Sequence, residues 1–151
     1  MKDTIRFNLR STVPATSELL KKFHLEKGGL VQQNIDKNVI EYCRPYCPKD
    51  TGTLEGSPYG ASKIGSGKVI YKTPYAHYLY YGIVYGPNFP QYDETGNIVG
   101  WKSPKKKYPT GRKLKYSREK NENAGSFWFV RMMADHRKEI VEEANRVAKS
   151  E

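Results

Sequence analysis

Residues 48–82 read PKDTGTLEGSPYGASKIGSGKVIYKTPYAHYLYYG. Pro and Gly punctuate the stretch throughout, so the chain must turn repeatedly here. Residues 56–64 and 68–73 read as two strands joined at Gly65-Ser66-Gly67, because Val69 and Tyr71 alternate with Ile70 and Lys72. Pro74 ends this hairpin. Residues 75–81, with four tyrosines, form a short helix or strand that Gly82 stops.

Outward from this centre, residues 30–46 form a long amphipathic helix. Val31, Ile35, Val39, Tyr42 and Tyr46 fall at spacings of four, four, three and four. Gln32, Gln33, Asp36, Lys37 and Glu41 face elsewhere, and Pro45 and Pro48 close the exit. Residues 4–10 alternate as a strand that ends by Pro14. Thr16 or Ser17 caps a short helix over residues 18–25. Residues 126–149 form a second long helix with the stripe Phe129, Met132, Met133, His136, Ile140, Ala144 and Val147. Glu142 and Glu143 are placed there to pair with Arg146. Between these parts, residues 85–125 are rich in Gly, Pro, Lys and Tyr and read as a long loop or extended arm. Residues 93–97 in it are turn-like, and residues 98–101 are one arm of a hairpin. The expected fold is a single α+β domain over residues 1–151. A small antiparallel sheet packs with the two long helices, and a basic arm or hairpin extends from it.

Composition narrows the function. The chain has 151 residues, 37% of them apolar, which fits a modest core with polar excursions. No apolar run approaches the roughly 18 residues of a membrane span. Residues 1–11 lack a signal-peptide apolar core, so a cytosolic origin is expected. Cys43 and Cys47 do not make a disulfide framework. The net charge of +10 is concentrated in residues 102–120, which hold nine basic residues and one acidic residue. Clustering of that kind points to a negatively charged partner, either nucleic acid or an acidic protein face.

Asp50-Thr51-Gly52 matches the triplet of aspartic proteases, which need two carboxylates sharing a proton after an apolar strand. Here it follows a helix, so the expected role is a turn. Asp and Thr side chains bond nearby amides, and Gly supplies positive φ. Gly65-Ser66-Gly67-Lys68 is similar to a phosphate loop, but Ser62 and Val69 stand where that motif needs Gly and Ser or Thr. Cys43 and Cys47 with His24 or His77 form a candidate zinc set of uncommon spacing, and Cys43 fits better as a core residue. His77 and His136 have no nucleophile partner at a recognisable motif. No catalytic residue, metal site or cofactor is expected.

Two surfaces are expected to bind partners. Lys105, Lys106, Lys107, Arg112, Lys113 and Lys115, interleaved with Trp101, Tyr108 and Tyr116, would meet an anionic partner or DNA. Tyr75, Tyr78, Tyr80 and Tyr81 exceed what one face can bury and read as part of a subunit interface, with Trp128. A Tyr-rich edge of one core is the competing reading.

The order of these motifs is familiar. A helix with Val31-Gln32-Gln33 leads into Pro48-Lys49-Asp50-Thr51-Gly52-Thr53-Leu54. A Gly-Ser-Gly-Lys turn then leads into Val69-Ile70-Tyr71 and Pro74-Tyr75-Ala76, and Phe127-Trp128-Phe129 opens the last helix. This resembles the minor capsid proteins of tailed bacteriophages and prophages of Gram-positive bacteria and, more distantly, the tail-completion or head–tail joining proteins of siphophages. The resemblance covers residues 30–148. It implies a virion component at the head–tail junction, made in the host cytoplasm. Identical subunits, a hexamer for example, would form a ring between the connector or adaptor and the tail tube or terminator. DNA in the lumen would be a further contact, and no membrane is involved. Asp50, Thr51, Gly52, Pro74, Tyr75, Ala76, Gly82 and Trp128 are shared positions with structural roles. The alternative expectation is a nucleic-acid-binding module that uses residues 102–120.

Overall fold

The chain alternates short strands with helices. The computed structural model describes residues 4–9 and 17–150. In order, β1 (Thr4–Asn8), α1 (Ser17–Lys22), α2 (Leu30–Cys43) and a 3-10 turn (Arg44–Tyr46) precede α3 (Thr53–Ala61) and β2 (Lys68–Lys72). Then come α4 (Ala76–Tyr81), β3 (Ile83–Gly86), β4 (Phe89–Tyr92), β5 (Ile98–Lys102), β6 (Tyr108–Lys113) and α5 (Trp128–Ala148). Every sheet is a two-stranded antiparallel pair, so the class is α+β, as expected. The expected strand end at Arg10 to Pro14 and the Thr16 cap lie outside the described residues.

Helices α2 and α5 carry the core. Val39, Ile40 and Cys43 on α2 are buried, as are Trp128, Met132 and Ile140 on α5. Polar bonds fix the register at the edge of this seam. Asn38 Nδ2 donates to Glu143 at 2.6 Å, and the Tyr42 hydroxyl donates to the same carboxylate at 3.1 Å. The Tyr46 hydroxyl donates to Asp135 at 2.6 Å. From Asn38 on α2 to Tyr46 in the turn that continues it, the α5 partner moves back from Glu143 to Asp135, so the helices are antiparallel. The predicted pairing of Glu142 and Glu143 with Arg146 gives way to this seam. Glu143 serves α2, and Glu142 lies 3.9 Å from Lys138. Burial and the bond to Asp135 push the Tyr46 phenol up to about 12.

The expected hairpin of residues 56–64 and 68–73 is replaced by a helix and a long-range strand pair. Strand β2 pairs with β1, placing Ile5 opposite Tyr71 and Phe7 opposite Val69. Phe7 stacks on Phe129 with ring centres 4.2 Å apart, and the edge of Tyr71 meets Trp128 at 5.4 Å. Residues 53–61 form α3, burying Leu54 and Pro58 at helical spacing. Pro58 has no amide to give the Leu54 carbonyl, and the Ser57 hydroxyl donates to it instead at 2.9 Å. The free edge of β2 is closed by the same segment. Ile70 N donates to Ser62 Oγ at 2.8 Å and Lys72 N to Ser57 Oγ at 3.3 Å.

Asp36 departs most from expectation. Read as facing away from the core, it is fully buried. One carboxylate oxygen accepts the amides of Gly65 at 2.7 Å and Gly67 at 3.1 Å. The other accepts Gln32 Nε2 at 2.8 Å, and that amide group also donates to the Leu9 carbonyl. Gly65 has φ +92, and a Cβ there would come within 3.2 Å of the Gly28 backbone, so the turn needs glycine.

In place of an open arm, residues 83–113 form a two-tier strand ladder. At the base, β3 pairs with β6; further out, β4 pairs with β5. The outer turn matches its reading. Asp93 Oδ1 accepts the amides of Thr95 and Asn97, each at 2.9 Å, and Gly96 takes positive φ.

Asp36→Ala leaves two buried glycine amides without an acceptor and is expected to cost about 2–5 kcal/mol in urea unfolding. Asp36→Asn keeps an acceptor oxygen and is expected to recover much of that loss.

Candidate functional site

Three separate stretches of the sequence converge on one groove. Residues 48–54 form one wall, Tyr75, Tyr78 and Leu79 of the α4 region form the floor, and residues 114–117 form the other wall. The groove has a volume of about 590 Å³.

Glu55 holds the first wall. Its carboxylate is nearly buried, lies 2.7 Å from Lys49 Nζ and 3.6 Å from Arg44, and accepts Asn121 Nδ2 at 3.3 Å. Asn121 Nδ2 also donates to the carbonyls of Arg44 and Cys47, both at 2.8 Å. Burial raises the Glu55 pKa, but the bonds from Lys49 and Asn121 and the charges of Lys49 and Arg44 outweigh it, so its carboxyl titrates below the ordinary range. The second wall is tied to α4. Leu114 N donates to the Gly82 carbonyl at 2.9 Å, and the Tyr116 hydroxyl donates to the Leu79 carbonyl at 2.6 Å. Gly82 caps α4 with φ +69, and a Cβ there would lie 2.8 Å from the Tyr116 oxygen.

Asp50-Thr51-Gly52 forms the turn that enters α3. Gly52 has φ +91, and Thr51 Oγ1 accepts the Thr53 amide at 3.4 Å. Asp50 does not bond nearby amides as expected. Its side chain is 98% exposed and lies 3.7 Å from Lys120. A carboxylate in water lacks the buried setting that a proton-sharing pair requires.

The remaining predicted residues separate into surface and core. Tyr75 and Tyr81 are exposed, and Tyr78 is half-buried with its ring 4.7 Å from Tyr85. Tyr80 and Trp128, expected at a subunit interface, are instead buried in the chain's own core, 4.8 Å apart. Lys105, Lys106 and Lys107 sit on the β5–β6 connection and line a second cleft with Tyr78 and Leu114, so the two clefts adjoin. Arg112 and Lys113 lie exposed on β6, and Lys115 lines the first groove.

Cys43 and Cys47 are free, fully buried thiols, and burial pushes Cys43 up to about 12 and Cys47 higher still. His77 lies against Tyr81, and His24 meets the Ser150 carbonyl at 3.1 Å. Among the described residues no three His, Cys, Asp or Glu side chains group as metal ligands. Among the same residues no helix is long and apolar enough to cross a membrane.

The outer tier of the ladder is an exposed apolar surface that the sequence motifs do not single out. Phe89, Tyr92, Ile98, Val99 and Trp101 are each more than half exposed. Its signal was present: apolar and aromatic residues on both sides of the 93–97 turn. Comparison with family models, curated proteins and solved structures finds no match.

Because Glu55 has a lowered pKa in the fold, its stabilisation is complete above the unfolded carboxyl pKa and is lost as pH falls through the folded value. Glu55→Gln is expected to lose about 1–3 kcal/mol at neutral pH. Its melting temperature should also fall less steeply than wild type between pH 6 and 3, approximately the span of carboxyl titration.

Proposed function

We propose that this chain is a structural subunit of a tailed-phage particle, placed at the head–tail junction and assembled as a ring of identical copies. The observation that carries the reading is the 83–113 ladder. Its outer pair exposes large apolar side chains on both faces, and no other part of the described chain covers them. A two-stranded hairpin is marginal alone in water, and aromatic side chains are enriched where subunits meet. The resemblance of residues 30–148 to minor capsid and tail-completion proteins supplies the place in the particle. The convergence of those motifs on an open groove, with the Asp50 carboxylate in solvent, favours a docking role over a catalytic one. Connector or adaptor proteins on one side and tail-tube or terminator proteins on the other are the proposed neighbours. The proposed localisation is the virion, with assembly in the host cytoplasm.

Mass spectrometry and immunogold labelling of purified particles test this reading. The chain is expected in tailed particles, with label at the neck. Its absence from particles, or label on the capsid faces, would overturn it.

A second reading has its own support. Lys105, Lys106 and Lys107 stand between exposed Trp101 and Tyr108, and Lys106 Nζ lies 5.5 Å from the Tyr108 ring centre. Cations beside exposed rings suit a nucleic-acid strand, within a ring lumen or in free solution. If DNA is bound, affinity should fall steeply with salt, and replacing all three lysines with Ala should remove binding while circular dichroism stays unchanged. No binding at low salt would dispose of this reading.

A further inference from the structure

The molecule presents a prominent tip and an open groove, and the two differ in charge. Residues 88–101 carry Asp93 and Glu94 as their only charged side chains, a net −2. The groove is lined by Lys49, Asp50 and Lys115, a net +1. Lys115 lines the groove and is in no ion pair among the described residues. Beside the acidic turn stand exposed Tyr92 and Ile98, directly opposite each other in the β4–β5 register. The groove offers them an apolar lining from Leu79, Leu114 and Tyr78.

The tip does not fill its own groove. The ladder leaves the body at Gly82 and returns at Leu114, so its base adjoins the groove and its turn lies at the far end. Nine residue steps of strand and bend separate Ile83 from Tyr92, a reach of up to about 30 Å at the rise of a strand. The exposure of Tyr92 and Ile98 confirms that their own chain leaves them uncovered.

We infer that the acidic turn of the β4–β5 hairpin of one copy seats in the groove of the next copy, with Tyr92 and Ile98 against Leu79 and Leu114 and Glu94 beside Lys115. The inference rests on the self-assembling reading above and names its contact. Tip and groove are different surfaces, so the contact is heterologous. Repetition closes a ring when the rotation allows, and otherwise extends a filament. The apolar pair supplies the attraction, and the charges select the orientation. Asp93 Oδ1 is engaged within its own turn, where it accepts two amides and the Thr95 hydroxyl, whereas Glu94 is exposed and in no ion pair among the described residues.

The test uses the full chain. Glu94 and Lys115 are both exposed, so Glu94→Cys and Lys115→Cys are expected to fold as wild type, checked by circular dichroism. Cys43 and Cys47 are fully buried and are expected not to react in the folded protein, which each variant treated alone checks. A short bismaleimide is added to each variant alone and to an equal mixture. The expected result is cross-linked dimer in the mixture, with little in either variant alone. Independently, Glu94→Lys and Lys115→Glu should each weaken self-association by roughly tenfold, and the double swap should restore it. An assembled protein with no mixture-specific cross-link and no response to the charge swaps would overturn this contact and leave the ring reading standing. A wild-type chain that stays monomeric at every concentration would overturn both. A tip that cross-links only to a different neck protein would overturn self-docking alone.

Discussion

A single buried carboxylate joins the two halves of this fold. Asp36 sits on the helix that forms the core's backbone, and it holds the turn that launches β2. The turn's two amides point inward and would otherwise be donors without acceptors. Through Gln32 the same group reaches the carbonyl that follows β1. One side chain therefore sets where both strands of the core sheet lie on α2. The aromatic packing of Phe7, Tyr71, Phe129 and Trp128 depends on that placement, because sliding either strand by one residue would turn its apolar face outward.

The long helices were legible because their apolar stripes persist over four or more turns. The short elements were not. Residues 53–61 contain four small residues, Gly56, Ser57, Gly60 and Ala61, and a proline, and read as strand or loop; as a helix they rely on the Ser57 back-bond and on packing against β2. The pairing of β1 with β2 spans some sixty residues and has no local signal, whereas the false hairpin had a plausible Gly-Ser-Gly turn. Asp36 was misread for a related reason. A carboxylate off the apolar stripe is usually solvated, and nothing near it in sequence reveals two glycine amides brought in from elsewhere.

The groove was legible in parts. Residues 48–54 and 74–82 stand out as motifs and residues 112–116 as part of the basic segment, but their meeting at one place depends on Gly82 and on Tyr116 reaching back to α4. The tyrosine-rich segment shows what composition leaves open. Its aromatics, with Trp128, fit both an interface and the edge of one core, and the fold divides them: Tyr80 and Trp128 fill the core, Tyr75 and Tyr81 stay exposed, and further exposed apolar surface lies on the hairpin some ten residues on.

The two tryptophans lie in contrasting places. Trp128 is fully enclosed among Tyr71 and Tyr80, whereas Trp101 is 61% exposed on the outer ladder. The emission of one reports the integrity of the helical body, and that of the other reports the solvation of the hairpin. Quenching by iodide reaches only the second while the body is folded. The molecule thus carries two optical probes, one for unfolding and one for whatever covers its hairpin, and they can be separated without adding a label.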